Sequence, residues 1–497
     1  MFYGPTEERM WAAVAVAGRD AAGQAREFDI DLYGEQGRLC ASLRGWCSAP
    51  MAALEPAAVL DLYRWTWQGR GDAAQSAAAT QIWLAPCFAA LVPELAGGAP
   101  CRVLPAQAAG SAAEAFEDLA AYLFAELRQQ LAATAPAPVR WQLVWPLEEA
   151  GQAHGLLGLF KTAALEHPCF SAQLIEVPAV LAASQLRAML AGAGNDSLVR
   201  YQDGRPEVLR PVALPPAGPA PQPWMEQGSY ALIGGLGGIG RAIAADILAA
   251  SSQARVVLLG RRPPSPDSAA VLAALDPQGG RLSYVQLDAA DAGQVRQWTA
   301  GLAAAGERLR GIVHCAGILD DRALLGKQEV DFRRVLQSKV RALVNLDQAT
   351  AALPLDFLVC CSSLSGAFGN HGQADYAAAN AFLDAYMVQR AARVAAGQAH
   401  GLSISVQWPL WEEGGMRMAP ALVDAMRVRQ GLLPLPQRSA LEALRQAIAL
   451  GEPVLMPLYG QRQAMAAWLD AAFSAALPAP APLAWSRCAA RSPALRA

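Results

Sequence analysis

Short apolar runs alternate with helical stretches from residue 229 to about residue 410. The runs of strand length cover residues 230–233, 255–259, 282–286, 311–314, 357–360 and 404–407. Short buried strands separated by helices are typical of a parallel sheet with helices on both faces. This part of the chain is therefore predicted to be an α/β, doubly wound parallel sheet.

A glycine-rich loop follows the first predicted strand and opens the next predicted helix. Its residues are Gly234, Gly235, Leu236, Gly237, Gly238, Ile239 and Gly240. Glycines at such a turn let backbone N–H groups approach a pyrophosphate, and the new helix presents its positive end to it. A glycine triplet alone would also fit a flexible turn. The strand–loop–helix setting favours a dinucleotide site in a Rossmann-like sheet.

The ends of the next strands indicate which dinucleotide is bound. Arg261 and Arg262 stand where an NAD-specific site would usually place an acid. Guanidinium groups favour a ribose 2′-phosphate, so the predicted cofactor is NADPH. The alternative is two surface arginines at a strand end. Further predicted cofactor contacts, near the adenine and then along the ribose and nicotinamide, are Asp288, Ala289, His314, Ala316 and Gly317.

A serine and a tyrosine suggest carbonyl reduction. Ser363 follows the fifth predicted strand, and Tyr376 comes thirteen residues later at the start of a helical run. One hydroxyl can hold a carbonyl oxygen while the other protonates it. A free tyrosine titrates near pH 10, so proton donation near neutral pH needs positive charge close by.

The lysine that a reductase of this type usually carries four residues after its tyrosine is replaced by Asn380. Lys339, in a helical run 37 residues before Tyr376, is the candidate substitute. Each residue also has a simpler interpretation. Ser363 could be a helix cap, Tyr376 an aromatic on a helix face, and Lys339 a solvated charge.

The chain before this sheet is organised differently. Residues 211–223 are rich in proline and are predicted to be a linker. Residues 141–145 and 172–177 are predicted strands around a helix at 155–165, without a phosphate-binding glycine loop. Residues 28–33 and 38–45 suggest a β-hairpin, and the tail after about 475 suggests a flexible extension.

Composition excludes several functional classes. The net charge of −3 gives no basic surface for nucleic acid. No apolar run reaches the roughly 18 residues that span a bilayer, so no membrane partner is expected. The nine cysteines are scattered without a histidine cluster, so neither a metal site nor a disulfide framework is expected. With no leader-like N-terminus, a cytoplasmic location is predicted.

Lys339, Ser363, Tyr376 and Asn380 together resemble the catalytic tetrad of ketoreductase domains from modular polyketide synthases. These belong to the short-chain dehydrogenase/reductase superfamily, with lysine and asparagine exchanged. Surrounding motifs are similar too: residues 314–321 read His-Cys-Ala-Gly-Ile-Leu-Asp-Asp, and 372–384 contain Gly-Gln-Ala-Asp-Tyr-Ala-Ala-Ala-Asn. Residues 408–416, Trp-Pro-Leu-Trp-Glu-Glu-Gly-Gly-Met, are similar to the trans-acyltransferase class.

The resemblance also implies a domain organisation. Residues 158–166, Gly-Leu-Phe-Lys-Thr-Ala-Ala-Leu-Glu, resemble the truncated, cofactor-free Rossmann-like subdomain that supports such ketoreductases. The expected segments are a dehydratase-like hairpin remnant at 1–55, a structural subdomain at 56–224, a catalytic NADPH-binding subdomain at 225–475 and a flexible tail at 476–497.

The resemblance implies reduction of a β-ketoacyl thioester by NADPH. Tyr376 would protonate the developing alkoxide, and Ser363 would donate a hydrogen bond to the same oxygen. Lys339 would stabilise the tyrosine anion and hold the nicotinamide ribose, and Asn380 would order the local hydrogen bonds. The expected partners are an acyl carrier protein bearing a phosphopantetheine-linked β-ketoacyl chain and neighbouring polyketide synthase domains.

Residues 319–321, Leu319, Asp320 and Asp321, match the fingerprint of B-type ketoreductases. Phe368 stands where enzymes with the opposite outcome usually carry tryptophan. The resemblance therefore implies a D-configured (3R) hydroxyl. The alternative for the two aspartates is a solvated turn. Two alternative functions also stay open: a free-standing reductase of a diffusible ketone, and a catalytically silent scaffold.

Overall fold

The structure is a computed structural model of the 497-residue chain. It describes residues 10–19, 25–34, 38–47, 58–70, 79–95, 99–106, 110–132, 138–216, 218–415 and 418–474. The predicted flexible tail at 476–497 lies outside the described residues. The chain divides into two compact units, Met1–Ala58 and Val59–Ala497.

The first unit contains an antiparallel sheet of three strands in sequential order. The strands are β1 (Met10–Arg19), β2 (Ala25–Gly34) and β3 (Leu39–Cys47). The predicted hairpin is confirmed by the pairing of β2 with β3, in which Ile30 lies opposite Leu43. Strand β1 was not predicted, although it pairs with β2 along its length.

The second unit is built on one continuous sheet. Among the described residues, its strand order is β13-β12-β11-β14-β15-β16-β17-β4-β10-β9-β8-β7-β5-β6. The strands are β4 (Val59–Gly69), β5 (Ala79–Leu84), β6 (Cys101–Val103), β7 (Val139–Pro146), β8 (Phe170–Val177), β9 (Leu198–Gln202), β10 (Arg205–Ala213), β11 (Ser229–Ile233), β12 (Arg255–Gly260), β13 (Leu282–Gln286), β14 (Leu309–His314), β15 (Phe357–Ser363), β16 (Leu402–Trp408) and β17 (Val454–Gly460).

Helices connect the strands. They are α1 (Val92–Leu95), α2 (Ala112–Leu131), α3 (Ala150–Ala153), α4 (Leu156–Glu166), α5 (Ala183–Gly192), α6 (Gly238–Ala250), α7 (Pro266–Leu275), α8 (Ala292–Ala304), α9 (Glu329–Thr350), α10 (Leu364–Phe368), α11 (Ala374–Ala395), α12 (Pro420–Gln430), α13 (Gln437–Leu450) and α14 (Arg462–Ser474). Short 3-10 turns cover Pro86–Leu91, Leu147–Glu149 and Leu324–Gly326.

Local sequence signals mark several helix ends. Helix α2 begins with a capping box, in which Ser111 and Glu114 bond each other's backbone N–H groups. Asp291 caps α8 by accepting from two backbone N–H groups of its first turn. Gly431 and Gly451 end α12 and α13 in the left-handed conformation, with φ of 70° and 67°, which glycine adopts at least cost.

Strands β11 to β17 form a parallel half-sheet, and the six strands predicted in this region are confirmed. Every residue of β11 is buried. Burial on both faces is typical of parallel strands covered by helices on each side, which explains their continuous apolar runs. The predicted doubly wound fold is therefore confirmed.

The two faces of this half-sheet carry different apolar clusters. Along β11, Tyr230 and Leu232 belong to one cluster, and Ala231 and Ile233 belong to the other. Successive strand side chains point to opposite faces, so the two clusters lie on opposite sides of the sheet. One cluster includes residues of α6 and α13, and the other includes residues of α2, α4, α9 and α11.

The second half of the sheet repeats the parallel pattern without a glycine loop. Strands β5 to β9 run parallel, and the predicted elements at 141–145, 155–165 and 172–177 are confirmed as β7, α4 and β8. Strands β10 and β4 then join this half to β17 by antiparallel pairing. The two predicted subdomains thus share one sheet and one apolar cluster.

The predicted linker at 211–223 is wrong at its start. Strand β10 runs through Pro211 to Ala213 and pairs there with β4. Proline is tolerated because β9 pairs only with residues up to Val208 of β10, so beyond that point β10 is an edge on its β9 side. A proline that lacks an N–H costs no ladder hydrogen bond at such an edge.

Helices α4 and α11 approach each other at the level of their backbones. A Cβ on Gly158 of α4 would lie 2.2 Å from the carbonyl oxygen of Ala377 in α11. Real Cβ atoms do not come this close to backbone, so only glycine allows this contact. The neighbouring rings of Phe116 and Phe382, with centroids 4.7 Å apart, continue the interface between the two halves.

We expect Gly158→Ala to destabilise the second unit by about 1–3 kcal/mol, because the added methyl group must push apart two helices whose backbones are in direct contact. Gly301 is the matched control, since it is exposed in α8 and a Cβ there would meet no atom within 4 Å. Gly301→Ala should be neutral or stabilise by up to about 1 kcal/mol, since alanine is the better helix former. Urea denaturation measures both; equal effects of the two substitutions would contradict the close contact.

Candidate active site

The four residues predicted as a catalytic set come from three neighbouring elements at the carboxyl end of the parallel strands. Ser363 ends β15, Lys339 lies in the middle of α9, and Tyr376 and Asn380 lie on successive turns of α11. In open α/β sheets, ligands bind at this edge. The fold therefore brings all four residues to the same end of the sheet.

Lys339 is buried, with 3% of its surface exposed. Its Nζ donates a hydrogen bond to the carbonyl oxygen of Cys361 at 2.9 Å and lies 5.3 Å from the centroid of the Tyr376 ring. A buried ammonium keeps most of its field, because little water screens it. The alternative of a solvated helix charge is therefore wrong for Lys339, and its positive charge lies beside the tyrosine.

Ser363 is the N-cap of α10. Its Oγ accepts a hydrogen bond from the backbone N–H of Ser365 at 3.2 Å. Ser363 is thus a helix cap, as the simpler interpretation proposes. A hydroxyl has one donor and two acceptor lone pairs, so the cap leaves the hydroxyl proton for another acceptor. Capping and substrate binding are compatible at this residue.

Asn380 is completely buried. Its Nδ2 donates to the carbonyl oxygen of Tyr376 at 2.8 Å and lies 3.5 Å from the Oγ of Ser365. Its Oδ1 is buried and meets no donor within the described part of the chain. Buried acceptors are rarely left without a donor, so this oxygen is suited to accept a hydrogen bond from a group bound in the site.

The glycine loop forms a close-fitting turn between β11 and α6. Gly234 has a φ of +75°, and a Cβ there would lie 2.7 Å from the Cα of Ala316. A Cβ on Gly240 would lie 2.6 Å from the Cα of Gly235, so the first turn of α6 rests directly on the loop. Gly237 is the N-cap of α6 and has no side chain to cover the helix end. Gly237 is exposed, and it stands at the positive end of α6, where an anion is stabilised.

The other predicted cofactor residues lie at the ends of the neighbouring strands. Arg261 and Arg262 follow β12 and are exposed. Their carbonyl oxygens accept hydrogen bonds from Gln286 and Tyr284 of β13, which fixes the backbone that carries both guanidinium groups. Asp288 follows β13, and its Oδ1 accepts from the N–H of Ala290 at 3.0 Å. The buried Ala289 accepts from Asn345 of α9 at 3.0 Å.

The end of β14 is held against the lysine helix. His314 is completely buried, and its Nε2 lies 3.1 Å from the carbonyl oxygen of Lys339. Burial, together with the Lys339 charge, lowers the pKa of His314 to about 3. A Cβ on Gly317 would lie 2.8 Å from the Cε of Lys339. The histidine is therefore a neutral structural contact, and Gly317 makes room for the lysine.

The predicted stereocontrol residues fall into two places. Leu319 is exposed, Asp320 pairs with Arg334 at 2.7 Å, and Asp321 accepts from Gln373 at 3.0 Å. Asp321 thus lies beside the segment that precedes Tyr376, and Asp320 lies against α9. The ring of Phe368 lies elsewhere and packs on α14, with its centroid 4.6 Å from that of Trp468 and 5.7 Å from that of Phe473.

Comparison with known proteins identifies the family. Residues 228–413 match the family model described as KR domain. The chain is 42% identical over 96% of its length to polyketide synthase ThaG of Burkholderia thailandensis and 31% identical over 91% to PksN of Bacillus subtilis. It spans only 9% of the length of each of these relatives.

A crystal structure of a ketoreductase domain from the bacillaene assembly line has a TM-score of 0.77 and 30% identity, and the match covers 83% of this chain and 100% of that one. The ketoreductase from the first module of phoslactomycin biosynthesis in a Streptomyces species has a TM-score of 0.65 and 27% identity over 85% of this chain and 97% of that one. This chain belongs to the ketoreductase domains of polyketide synthases.

The contacts by which α4 supports the candidate active site of this ketoreductase domain were not predicted from the sequence. Lys161 donates to the carbonyl oxygen of Ala367 at 2.6 Å, and the Thr162 hydroxyl accepts from the N–H of Asn370 at 3.1 Å. Glu166 accepts from the N–H of Gly372 at 2.8 Å. The sequence signal that could have indicated these contacts is the presence of three polar residues on a mostly apolar helix. They fix the loop that leads into the Tyr376 helix.

Two features are absent from the residues of the ketoreductase domain that the structure describes. No helix there is long and apolar enough to cross a membrane. Histidine, cysteine, aspartate and glutamate side chains form no cluster of three or more there that could hold a metal ion.

The lowered pKa of His314 predicts a loss of stability in acid. Its folded-state pKa of about 3 lies below the ordinary value of 6.5, so between these values the unfolded chain binds the proton and the folded chain does not. The stability contributed by neutral His314 is complete above pH 6.5 and is lost as the pH falls toward 3. Between pH 7 and pH 5, this residue should cost about 2 kcal/mol of the free energy of unfolding.

We expect His314→Gln, which keeps a donor for the Lys339 carbonyl, to weaken this pH dependence by about that amount. His371, which is exposed, provides the control variant His371→Gln, whose pH dependence should match the wild type. Urea denaturation at pH 7 and pH 5 measures the difference. If the free energy of unfolding of His314→Gln and of the wild type changes equally with pH, His314 binds its proton equally in the folded and unfolded states, which contradicts the lowered pKa.

Proposed function

We propose that this domain reduces a β-ketoacyl thioester, carried by an acyl carrier protein, to the (3R)-β-hydroxyacyl thioester with NADPH. The observation that carries the proposal is the buried Lys339 ammonium, 5.3 Å from the ring of Tyr376, in a member of the ketoreductase family. Such a charge supports a tyrosine that acts as a proton donor near neutral pH.

The residues present fit a nicotinamide dinucleotide. Glycine at 234 and 240 lets the loop pack tightly on Ala316 and on the first turn of α6, and the exposed N-cap Gly237 leaves that helix end without a covering side chain. The unpaired, buried Oδ1 of Asn380 offers a further acceptor in the site. The cofactor would supply the hydride for the carbonyl carbon. Arg261 and Arg262, with no acid at this strand end, support the phosphorylated form, NADPH.

The protein's part is to hold the substrate carbonyl and supply its proton. Tyr376 donates its hydroxyl proton to the oxygen as negative charge develops there. The Lys339 ammonium stabilises the tyrosine oxygen that remains, and burial keeps this interaction from being screened. The Ser363 hydroxyl donates a hydrogen bond to the same substrate oxygen, because its cap contact uses only a lone pair.

Asn380 and the first turn of α11 keep the tyrosine in place. The Asn380 side chain bonds the Tyr376 carbonyl oxygen within the helix, so a change at 380 would alter the helix turn that carries the tyrosine. The expected partners follow from the family: relatives of this chain are named polyketide synthases, many times its length, so neighbouring synthase domains and a carrier protein are the natural source of substrate.

Purified protein with NADPH and a β-ketoacyl thioester should form the D-hydroxyacyl product, measured by NADPH oxidation and chiral chromatography. Tyr376→Phe should lower kcat at least about 100-fold, because the general acid is lost, while NADPH binding measured by fluorescence is retained. Tyr122→Phe, in α2 of the other half, is the control and should be active. An excess of L product would contradict the stereochemical part, and a fully active Tyr376→Phe would contradict the mechanism.

Faster turnover with a carrier-protein-bound substrate than with the simple thioester would distinguish this function from reduction of a diffusible ketone. If NADPH does not bind at all, the domain is a silent scaffold.

The cofactor assignment has its own test. Arg261→Ala/Arg262→Ala should raise KM for NADPH at least about tenfold and change KM for NADH little, because only the 2′-phosphate loses its partners. Arg296→Ala, an exposed arginine of α8, is the matched control and should change neither. Equal KM values for NADPH and NADH in the unmodified protein would contradict the preference for NADPH.

A further inference from the structure

The chain uses lysine in only three places. Lys161, Lys327 and Lys339 are its lysines, among 40 lysine and arginine residues. Each donates a hydrogen bond to a backbone carbonyl oxygen close to the proposed active site: Lys161 to Ala367, Lys327 to Asp320 and Lys339 to Cys361. An ammonium is more compact than a guanidinium and fits an enclosed site that arginine would overfill. Lys327 is therefore one of three lysines in enclosed positions close to the proposed active site.

Lys327 lies between the 3-10 turn Leu324–Gly326 and α9, and its side chain is 1% exposed. Its Nζ forms an ion pair with the Oδ2 of Asp375 at 2.6 Å, and the Asp375 side chain is also 1% exposed. The same Nζ donates to the carbonyl oxygen of Asp320. One buried ammonium thus bridges the segment 319–321 and the first turn of α11.

The other end of this bridge lies against Tyr376. Asp375 precedes the tyrosine in the chain, and its Oδ1 accepts the backbone N–H of Tyr376 at 2.9 Å. The carboxylate of Asp375 therefore contacts Lys327 through one oxygen and Tyr376 through the other. A shift of Lys327 would be transmitted to the helix turn that presents the tyrosine.

Two further contacts join the same two segments. The N–H of Arg322 donates to the carbonyl oxygen of Gly372 at 2.9 Å, and Gln373 donates to Asp321 at 3.0 Å. Both lie nearer the surface than the Lys327–Asp375 pair. Glu166 of α4 adds support from outside, because it accepts from the N–H groups of Leu324 and Gly372.

We propose that Lys327 is a positioning residue, which fixes the segment 319–321 relative to Tyr376 through Asp320 and Asp375. The proposal rests on the proposed function, in which that segment guides the substrate and Tyr376 protonates it. A buried ion pair adds little to stability compared with apolar residues of the same size, so orientation is the better account of its presence. Catalysis is sensitive to such orientation, since small misplacement of a proton donor lowers the rate greatly.

The test uses the whole chain and three variants. Lys327→Met alone leaves Asp375 buried without a partner and is expected to fold poorly. Lys327→Met/Asp375→Asn removes both charges and should fold, so it reports on positioning. Arg333→Met is the matched control, because Arg333 lies on α9 and pairs with Asp118 and Glu329 away from both segments. Measurements are kcat, KM for NADPH, the ratio of D to L product, and hydrogen exchange of peptides covering 318–327 and 369–376.

For the double variant we expect kcat and the ratio of D to L product each to fall at least about tenfold, with KM for NADPH within about twofold of the wild type. Exchange in the two peptides should become faster, and Arg333→Met should resemble the wild type. Faster exchange with unchanged kcat and product ratio overturns the proposal, because the pair is then only structural. Unchanged exchange overturns it as well.

If the unmodified protein reduces no β-ketoacyl thioester, the proposed function fails, and hydrogen exchange alone decides whether Lys327 holds the two segments together. The two failures are thereby distinguished.

Discussion

The backbone contact between α4 and α11 is the constraint on which the proposed active site depends. At Gly158 the helices lie too close for any side chain, and the Tyr376 helix is therefore seated on the half of the protein that lacks the glycine loop. Polar side chains of α4, among them Thr162 and Glu166, accept hydrogen bonds from backbone N–H groups of the loop that precedes the tyrosine. The structural half acts on the site directly, through the position of one helix and one loop.

Two buried lysines beside the proposed site have different electrostatic surroundings. Lys327 is paired with Asp375, so its charge is neutralised locally. Lys339 forms no ion pair with any described residue and is satisfied by the carbonyl oxygen of Cys361, which leaves its positive field directed at the tyrosine and its surroundings. Burial, together with the same field, lowers the pKa of His314 and keeps that ring neutral. The paired lysine links two segments of the proposed site, and the other lysine charge has no carboxylate partner among the described residues.

Much of the parallel half-sheet could be predicted because its signals are local. The apolar run of β11, the glycine loop and the start of α6 are contiguous, and both burial and turn chemistry are readable there. Strands β4 and β17 were not predicted, since their pairing joins residues far apart in the chain, such as Val59 with Gly460, which are 401 positions apart. The proline-rich start of the linker was misassigned for a related reason: whether proline breaks a strand depends on which side of the strand is paired.

The sequence alone determined the candidates for the proposed chemistry: the glycine loop, and the set Lys339, Ser363, Tyr376 and Asn380 with its exchanged lysine and asparagine. Residue type and spacing along strand and helix ends carry that information. Only the tertiary structure decided that Lys339 is buried beside the tyrosine and that Lys327 is paired with Asp375. Desolvation and charge pairing depend on what lies around a side chain in space, and the partners come from segments separated along the chain.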